Sequence, residues 1–500
     1  MIDVGDDPSE DPFNGPPGKL VVSSEDHPVG PYLTLSHRWG DADIIKLTKA
    51  NLEELRLEIP MSLLSKTFKD AIATARVFGL RYLWIDSLCI LQDSKEDWTR
   101  EAATMCDVYK NSYCNIVAMS SKTMFDGLFF ERDTSILKTH KVALGRPDRE
   151  QVVYYLTVDN LLRDKEVKSA PLKKRGWVLQ EELLAPRALL FTKQQILWEC
   201  PTHEACEVYP GGVPDFYYWD YKGGSLLGSL PTYSHKRQLS TFNFSNEFVS
   251  GHLSRVQSRS YLRGAAHVDG FWYFWKDIVE NFCERELTVK DDRLIALAGI
   301  ATLLSRKTNY QYMAGIWDRG MFSSTFTAME LLWRTSFRGS LSKRPEARRA
   351  PSWSWASVDG DIRYFQDTDV DDLQNTASLS FRTEAGFLLH QNERIVLVIR
   401  GKLLELLGVR EMLQPPDDSY EDYELEEMEE HPDFRNTPSD SVYCLSLFAS
   451  YMHGDVWGLL LKRLQDGKYE RSGYFDVNSK CANISWEAFN RAPLVTVEIV

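Results

Sequence analysis

The sequence predicts an α/β protein: a parallel-sheet domain over roughly the first two hundred residues, followed by a mixed α+β region with a β-rich end. Three observations carry this expectation. Between Tyr32 and Met119, short apolar strands alternate with amphipathic helices. The order strand, helix, strand, helix, strand implies right-handed crossovers and a parallel sheet. The helical period then returns between Phe271 and Leu304, and after about residue 350 the segments RIVLVIRGKLLEL, VWGLLLKRL and PLVTVEIV are β-like.

Taken in order, residues 1–28 are acidic and rich in Pro and Gly, the composition of a disordered lead-in. Tyr32–Leu35 is short, aromatic and β-prone, and it runs into the polar loop Ser36–Asp41. Lys66–Phe78 places Ala71, Ala75 and Phe78 on one face of a helix that Gly79 is placed to end. Arg81–Asp86 is apolar enough to be a strand buried on both faces. Ser94 is the N-cap of the next helix, with Asp97 three residues on as a capping-box variant. Along that helix Trp98, Ala102, Met105 and Tyr109 form one apolar stripe, and Asn115–Met119 is the following strand. Leu189–Thr192 and Gln195–Trp198 suggest a hairpin. The expected organisation is therefore a lead-in at 1–28, the α/β domain at 29–206, a Gly-, Ser- and Tyr-rich insertion at 207–265, a helical region at 266–345 and a β-rich region at 346–500. The last is interrupted by an acidic loop at 416–431, read as a solvated face.

Bulk properties narrow the function. Five hundred residues correspond to about three ordinary domains. A net charge of −14 argues against nucleic-acid phosphates or anionic membranes as partners, because either would repel the chain. No stretch reaches the ~18 apolar residues needed to span a bilayer. The N-terminus has neither the basic start nor the apolar run of a secretory signal. Eight scattered cysteines have no framework spacing, so reduced thiols and a cytoplasmic location are expected.

Four segments carry a family resemblance: YLTLSHRWGD (32–41), the block from KTFKDAIATARVFGL to CNIVAMSS (66–121), RGWVLQEELLAPRALLFTKQQILWEC (175–200) and APSWSWASVDG (350–360). Together they closely resemble the fungal heterokaryon-incompatibility (HET) family. The resemblance implies a role in non-self recognition, in which fusion of incompatible partners triggers programmed cell death. It implies protein partners, with self-assembly as one form. The sequence shows no separate nucleotide-binding module, so an activating partner would act in trans or through the C-terminal half. The HET domain is also similar, more distantly, to the Toll/interleukin-receptor (TIR) domain. In that comparison Trp98-Thr99-Arg100-Glu101 looks like the helix carrying the glutamate of TIR enzymes that cleave NAD.

In an open parallel sheet, ligands bind beyond the carboxyl ends of the strands. Ser36, Trp39, Gly40, Asp86 and Ser120 fall at such ends and are candidate ligand contacts. Ser36 could equally make a loop hydrogen bond, and Asp86 could cap the turn after its strand. Gly40 would permit a positive φ, and Trp39 would supply area and one donor. Glu101 lies about 60° from the centre of the apolar stripe. It would hold a ribose diol or stabilise an oxocarbenium ion as nicotinamide leaves, or else pair with a neighbouring Arg or Lys. Cys89 with His37 and Asp86 could form a thiol nucleophile and its base, although Cys89 also reads as a small buried hydrophobe. Arg175, Trp177, Gln180 and Glu181 suggest a buried polar network tying their segment to the first strand, with Glu181 alternatively a second acid at the rim. Cys200, His203 and Cys206 lack the paired spacing of a zinc site, so no metal is expected. The Trp-Ser-Trp of Pro351–Trp355 reads as packing, against the HET domain in one version. No cofactor is required by these readings, and NAD enters as a substrate in the TIR-like one. An enzyme of small-molecule metabolism using the same rim is the third reading.

Overall fold

The structure is a computed structural model that describes residues 1–5, 11–40, 44–137, 140–144, 152–156, 166–167, 169–213, 236, 239, 270–320, 324–335, 344–364, 373–383, 395–406, 442–450, 455–477 and 486–500. Asp41, the acidic loop at 416–431 and most of the insertion at 207–265 lie outside the described residues. The chain divides into two compact units. One comprises Met1–Phe242, Arg285–Leu287 and Ile295–Ile300, and the other Asn243–Glu284, Thr288–Leu294 and Ala301–Val500.

In the first unit the strands are β1 (Ile2–Asp3), β2 (Lys19–Leu20), β3 (Tyr32–Ser36), β4 (Tyr82–Trp84), β5 (Cys114–Val117), β6 (His140–Leu144), β7 (Val152–Leu156), β8 (Ala188–Phe191), β9 (Ile196–Glu199) and β10 (Glu204–Cys206). Its helices are α1 (Ser23–Asp26), α2 (Leu52–Leu57), α3 (Lys66–Val77), α4 (Asp86–Cys89), α5 (Lys95–Lys110) and α6 (Gly176–Leu184). Eight strands form one sheet in the order β10-β9-β8-β5-β3-β4-β1-β2, while β6 and β7 pair separately. The centre is parallel: β3 pairs in parallel with both β4 and β5, and β5 with β8. The hairpin β8–β9 is antiparallel.

Strand periodicity explains how the centre is built. Side chains alternate between the two faces of a strand. Leu33, Leu35, Leu83 and Ile116 therefore share one core with Phe68, Ala71, Ile72 and Ala75 of α3. The opposite face carries Thr34, Ser36 and Asn115, and there Trp84 meets Tyr109 of α5 edge to face. The crossover from β3 to β4 and the return from β4 past β3 to β5 run in opposite directions. With a constant right-handed sense, successive helices must fall on opposite faces of the sheet. The reversal falls beside β3, where an open parallel sheet offers a crevice.

Two expectations for this unit are corrected. The lead-in at 1–28 is not a disordered tail where it is described, because β1 adds antiparallel to β4 and β2 to β1. Its Pro- and Gly-rich composition is overridden by tertiary contacts. The Arg81 guanidinium donates two bonds of 2.8 Å to Asp3, and Arg76 donates to the carbonyls of Pro12 and Pro16. Asp86 also does not end a strand. β4 stops at Trp84, and Asp86 opens the one-turn helix α4.

The second unit is less purely helical at 266–345 than its sequence period suggests. Besides α7 (Gly270–Cys283), α8 (Ile295–Thr308, shared with the first unit) and α9 (Ser324–Leu331), it holds the short strands β11 (Gln311–Met313), β12 (Ile316–Asp318) and β13 (Trp333–Thr335). β13 pairs with β14 (Ile362–Tyr364). The β-rich end comprises β15 (Leu373–Asn375), β16 (Ser378–Thr383), β17 (Ile395–Leu406), β18 (Val442–Ser450), β19 (Val456–Arg463), β20 (Tyr469–Val477) and β21 (Leu494–Ile499), with α10 (Trp486–Arg491) before the last strand. The twelve-residue β17 pairs with β21 along its first half and with β18 along its second. Since β18, β19, β20 and β21 also pair in series, the five strands close into a barrel, which removes the exposed edges an open sheet would carry.

The Trp-Ser-Trp motif packs within this unit. Trp353 and Trp355 are fully buried. The Trp355 indole donates to the Gly315 carbonyl at 2.9 Å, and Trp333 donates to the Trp353 carbonyl at 3.0 Å. Ser352 fills the gap where β20 and β21 share a single pair: its N–H donates to the Val500 carbonyl at 3.1 Å, and its Oγ accepts from Arg471 N at 3.0 Å.

Candidate functional site

A chain of buried hydrogen bonds crosses the polar face at the strand reversal. Thr34 Oγ1 donates to Asn115 Oδ1 at 3.0 Å, Asn115 Nδ2 donates to Ser36 Oγ at 2.9 Å, and Ser36 Oγ donates to Glu181. The Tyr109 phenol of α5 hydrogen-bonds with Ser36 and Glu181. Arg175, the N-cap of α6, donates to the His37 carbonyl. Around the corner, Asp86 accepts from its own turn, at Ser87 N (2.7 Å), and from Trp39 Nε1 (2.9 Å). The loop after β3 and the turn after β4 therefore meet. Ser36, His37 and Glu181 are 0%, 1% and 3% exposed, so the cluster belongs to the interior.

Helix α6 explains why three consecutive polar residues are buried. Adjacent residues on a helix point about 100° apart, so a helix enclosed on several sides must satisfy each separately. Gln180 accepts from Gly299 N at 3.0 Å, Glu181 takes the rim, and Glu182 pairs with Lys173 (2.8 Å) and Arg285 (3.2 Å). The two glutamates differ electrostatically. Burial would raise the Glu182 carboxyl, but Lys173 and Arg285 more than offset it and hold it below the usual range. At Glu181 burial dominates, opposed by Arg175 and the Ser36 hydrogen bond and assisted by Asp86, and the carboxyl is pushed up to about 7. Neither His37 ring nitrogen has a hydrogen-bond partner among the described residues, and the imidazole packs edge-on against Phe68. Its Nε2 stands 3.6 Å from Asp86 Oδ1, and burial lowers its basicity despite that carboxylate.

Other sequence candidates fall elsewhere. Glu101 is not in the cluster: it pairs with Arg100 at 3.4 Å and keeps a quarter of its side chain exposed. Partial burial, with Asp97 nearby, raises its carboxyl. The Ser120 hydroxyl accepts from Lys193 N at 3.2 Å, on the β8–β9 side. Gly40 is exposed with φ +67°, a conformation that favours glycine. Trp177 is half-buried and makes none of the cluster's hydrogen bonds among the described residues. Cys200 Sγ lies against Thr202 and the His203 carbonyl, and among the described residues no group of three or more His, Cys, Asp or Glu side chains is placed to hold a metal ion. No helix among them is long and apolar enough to cross a membrane.

Cys89 accepts from Ile85 N at 3.4 Å, and burial pushes its thiol up, the reverse of what an activated nucleophile needs. Iodoacetamide should therefore label Cys89 far more slowly in the native chain than in urea. Equal rates in a peptide-resolved mass measurement would contradict this placement.

Sequence reasoning missed Thr34, Tyr109 and Asn115. The first and third were visible as polar residues alternating with apolar ones inside strands otherwise read as buried. Tyr109 was read only as part of an apolar stripe.

A buried polar hub at the carboxyl ends of a parallel sheet defines an α/β domain whose end loops are tied to a following helix. Residues 32–181 match the model of the heterokaryon incompatibility protein (HET) family, and this segment is a HET domain. The match begins at Tyr32 and ends at Glu181, so both ends of the Ser36–Glu181 hydrogen bond lie inside it. Neither a curated protein nor a solved structure matches the chain.

Proposed function

We propose that this chain is a cytoplasmic effector of heterokaryon-incompatibility type, acting in fungal non-self recognition and programmed cell death through contacts with protein partners, self-assembly included. The HET domain at 32–181 supports the family role. The observation that favours contact over chemistry is that Ser36, Glu181, Asn115 and Tyr109 are buried and hydrogen-bonded to one another. Residues so engaged hold the domain's shape and position the loops at its rim. In the TIR-like reading Glu101 would instead act on NAD.

Induced expression of the full chain in a filamentous fungus should arrest growth and kill cells. Ser36→Val, which removes the hydroxyl at the centre of the hydrogen-bond chain, should abolish killing at equal protein level. Normal growth with the wild-type chain well expressed would overturn the effector reading. A fall in cellular NAD that disappears with Glu101→Gln would replace it with the hydrolase reading.

A further inference from the structure

We propose that the second unit holds a buried binding site for a small oxyanion, a phosphate or a carboxylate, formed by the Arg471 guanidinium and the Tyr364 hydroxyl.

β20 aims the cation inward. Its ladder with β19 slips between Leu460, which faces Gly473, and Leu461, which faces Arg471, so Ser472 is the extra residue of a β-bulge. Bulges re-aim side chains and are over-represented beside functional sites. Here Arg471 Nε spans the bulge and donates to the Gly473 carbonyl at 3.2 Å. The other edge of β20 is open at this point, because it meets β21 at Tyr469 alone, and Arg471 N donates instead to Ser352 Oγ at 3.0 Å.

The guanidinium lies 3.5 Å from the centroid of the Trp333 ring and donates from Nη2 to the Trp333 carbonyl at 2.6 Å. Trp333 faces Tyr364 across the β13–β14 pair, and directly opposed residues project from the same face. The phenol therefore stands beside the indole that the guanidinium covers. Arg471 and Tyr364 are each 1% exposed. Neither Arg471 Nη1 nor Tyr364 Oη has a hydrogen-bond partner among the described residues.

Charge decides what fits there. Among the described residues Arg471 has no carboxylate partner, and the ionisable groups acting on it are Tyr364 and a second cation, Arg344. Arg344 donates to the Arg471 carbonyl and pairs with Glu470 at 2.8 Å, and Arg348 shares that carboxylate at 3.1 Å. One acid thus serves the two outer guanidiniums and leaves the inner one uncompensated. The carboxylates acting on the phenol are engaged: Glu330 by Arg319, and Glu280 by Tyr364 N. A buried charge without a partner is costly, and the Trp333 face offsets only part of that cost. Water would satisfy the N–H and O–H groups but leave the charge. An oxyanion does both, with one oxygen accepting from Nη1 and another from Tyr364 Oη, the recognition for which a guanidinium is suited.

The test is equilibrium dialysis of the full chain against radiolabelled inorganic phosphate and, separately, acetate, in chloride buffer of matched ionic strength, continued until uptake is constant. The wild-type chain should bind a single anion saturably, and the probe held more tightly identifies the ligand as phosphate-like or carboxylate-like. Arg471→Met should weaken binding by about a hundredfold and Tyr364→Phe by about tenfold, as expected for losing a charged and a single hydrogen-bonding partner. Saturating probe should raise the thermal midpoint of the wild type and leave that of Arg471→Met unmoved. No saturable uptake of either probe by the wild-type chain overturns the proposal. Uptake unchanged in Arg471→Met overturns it as well, marking an adventitious ion only. Should Arg471→Met fail to fold, Tyr364→Phe decides in the same way, and undiminished uptake there overturns the site.

Discussion

Glu330→Ala should lower stability by about 3–5 kcal/mol, the cost of breaking a buried ion pair by removing one partner. Glu330 lies on α9 and accepts from Arg319 at 2.7 Å and from Trp317 N at 2.9 Å. Both charged side chains are essentially unexposed, at 0% and 1%. The guanidinium sits over the rings of Phe271 (4.6 Å), Phe326 (5.4 Å) and Tyr310 (5.6 Å), so water cannot replace the carboxylate without opening that aromatic shell. A typical domain has only about 5–15 kcal/mol in total, so this loss should displace the urea midpoint of the second unit by a large fraction. The double variant Arg319→Met/Glu330→Met should be more stable than Glu330→Ala alone, because it removes both charges together. A single variant within about 1 kcal/mol of wild type would show that water or a rearranged neighbour already screens the pair.

The second large effect is expected at Gly299→Val. This glycine sits within α8, where its N–H donates to Gln180 Oε1 at 3.0 Å. A Cβ at 299 would fall 2.5 Å from that same oxygen and would also overlap the Cys106 Cβ on α5. Three helices of the first unit therefore approach through the missing side chain. Overpacking a tight site costs about 1–3 kcal/mol. Stranding the buried Gln180 carboxamide adds about 1–3 kcal/mol more. Thermal unfolding followed by loss of HET-domain signals should shift well below wild type, and Gln180→Ala should rescue part of the loss by making room. If Gln180→Ala/Gly299→Val is no better than Gly299→Val, the clash with the carboxamide is not the cause.

Much of the first unit was legible because its signals are local. The alternation in Tyr32–Leu35, the stripe along Lys66–Phe78 and the Ser94 cap each depend on neighbours a few residues apart, and each marks an element present in the structure. The lead-in was misread for the same reason: its order comes from pairing with β4 and from Arg76 and Arg81, partners some sixty or more residues away. The Trp-Ser-Trp segment shows the limit again. Two tryptophans one residue apart announce burial but not against what, and their hydrogen bonds go to Gly315 and from Trp333.

The two glutamates mark where residue order stops and packing begins. Glu101 follows Trp98 on one helix and Glu181 follows Trp177 on another, and both stood as acids near the same rim. Residue order sufficed for the α/β plan, the parallel strands and the family of the domain, because hydrophobic period and motif are written along the chain. Which acid enters the interior was decided in three dimensions. Burial and proton affinity depend on what covers a helix face, and α6 is enclosed by the sheet, α5 and Gly299, whereas Glu101 on α5 stays partly in water.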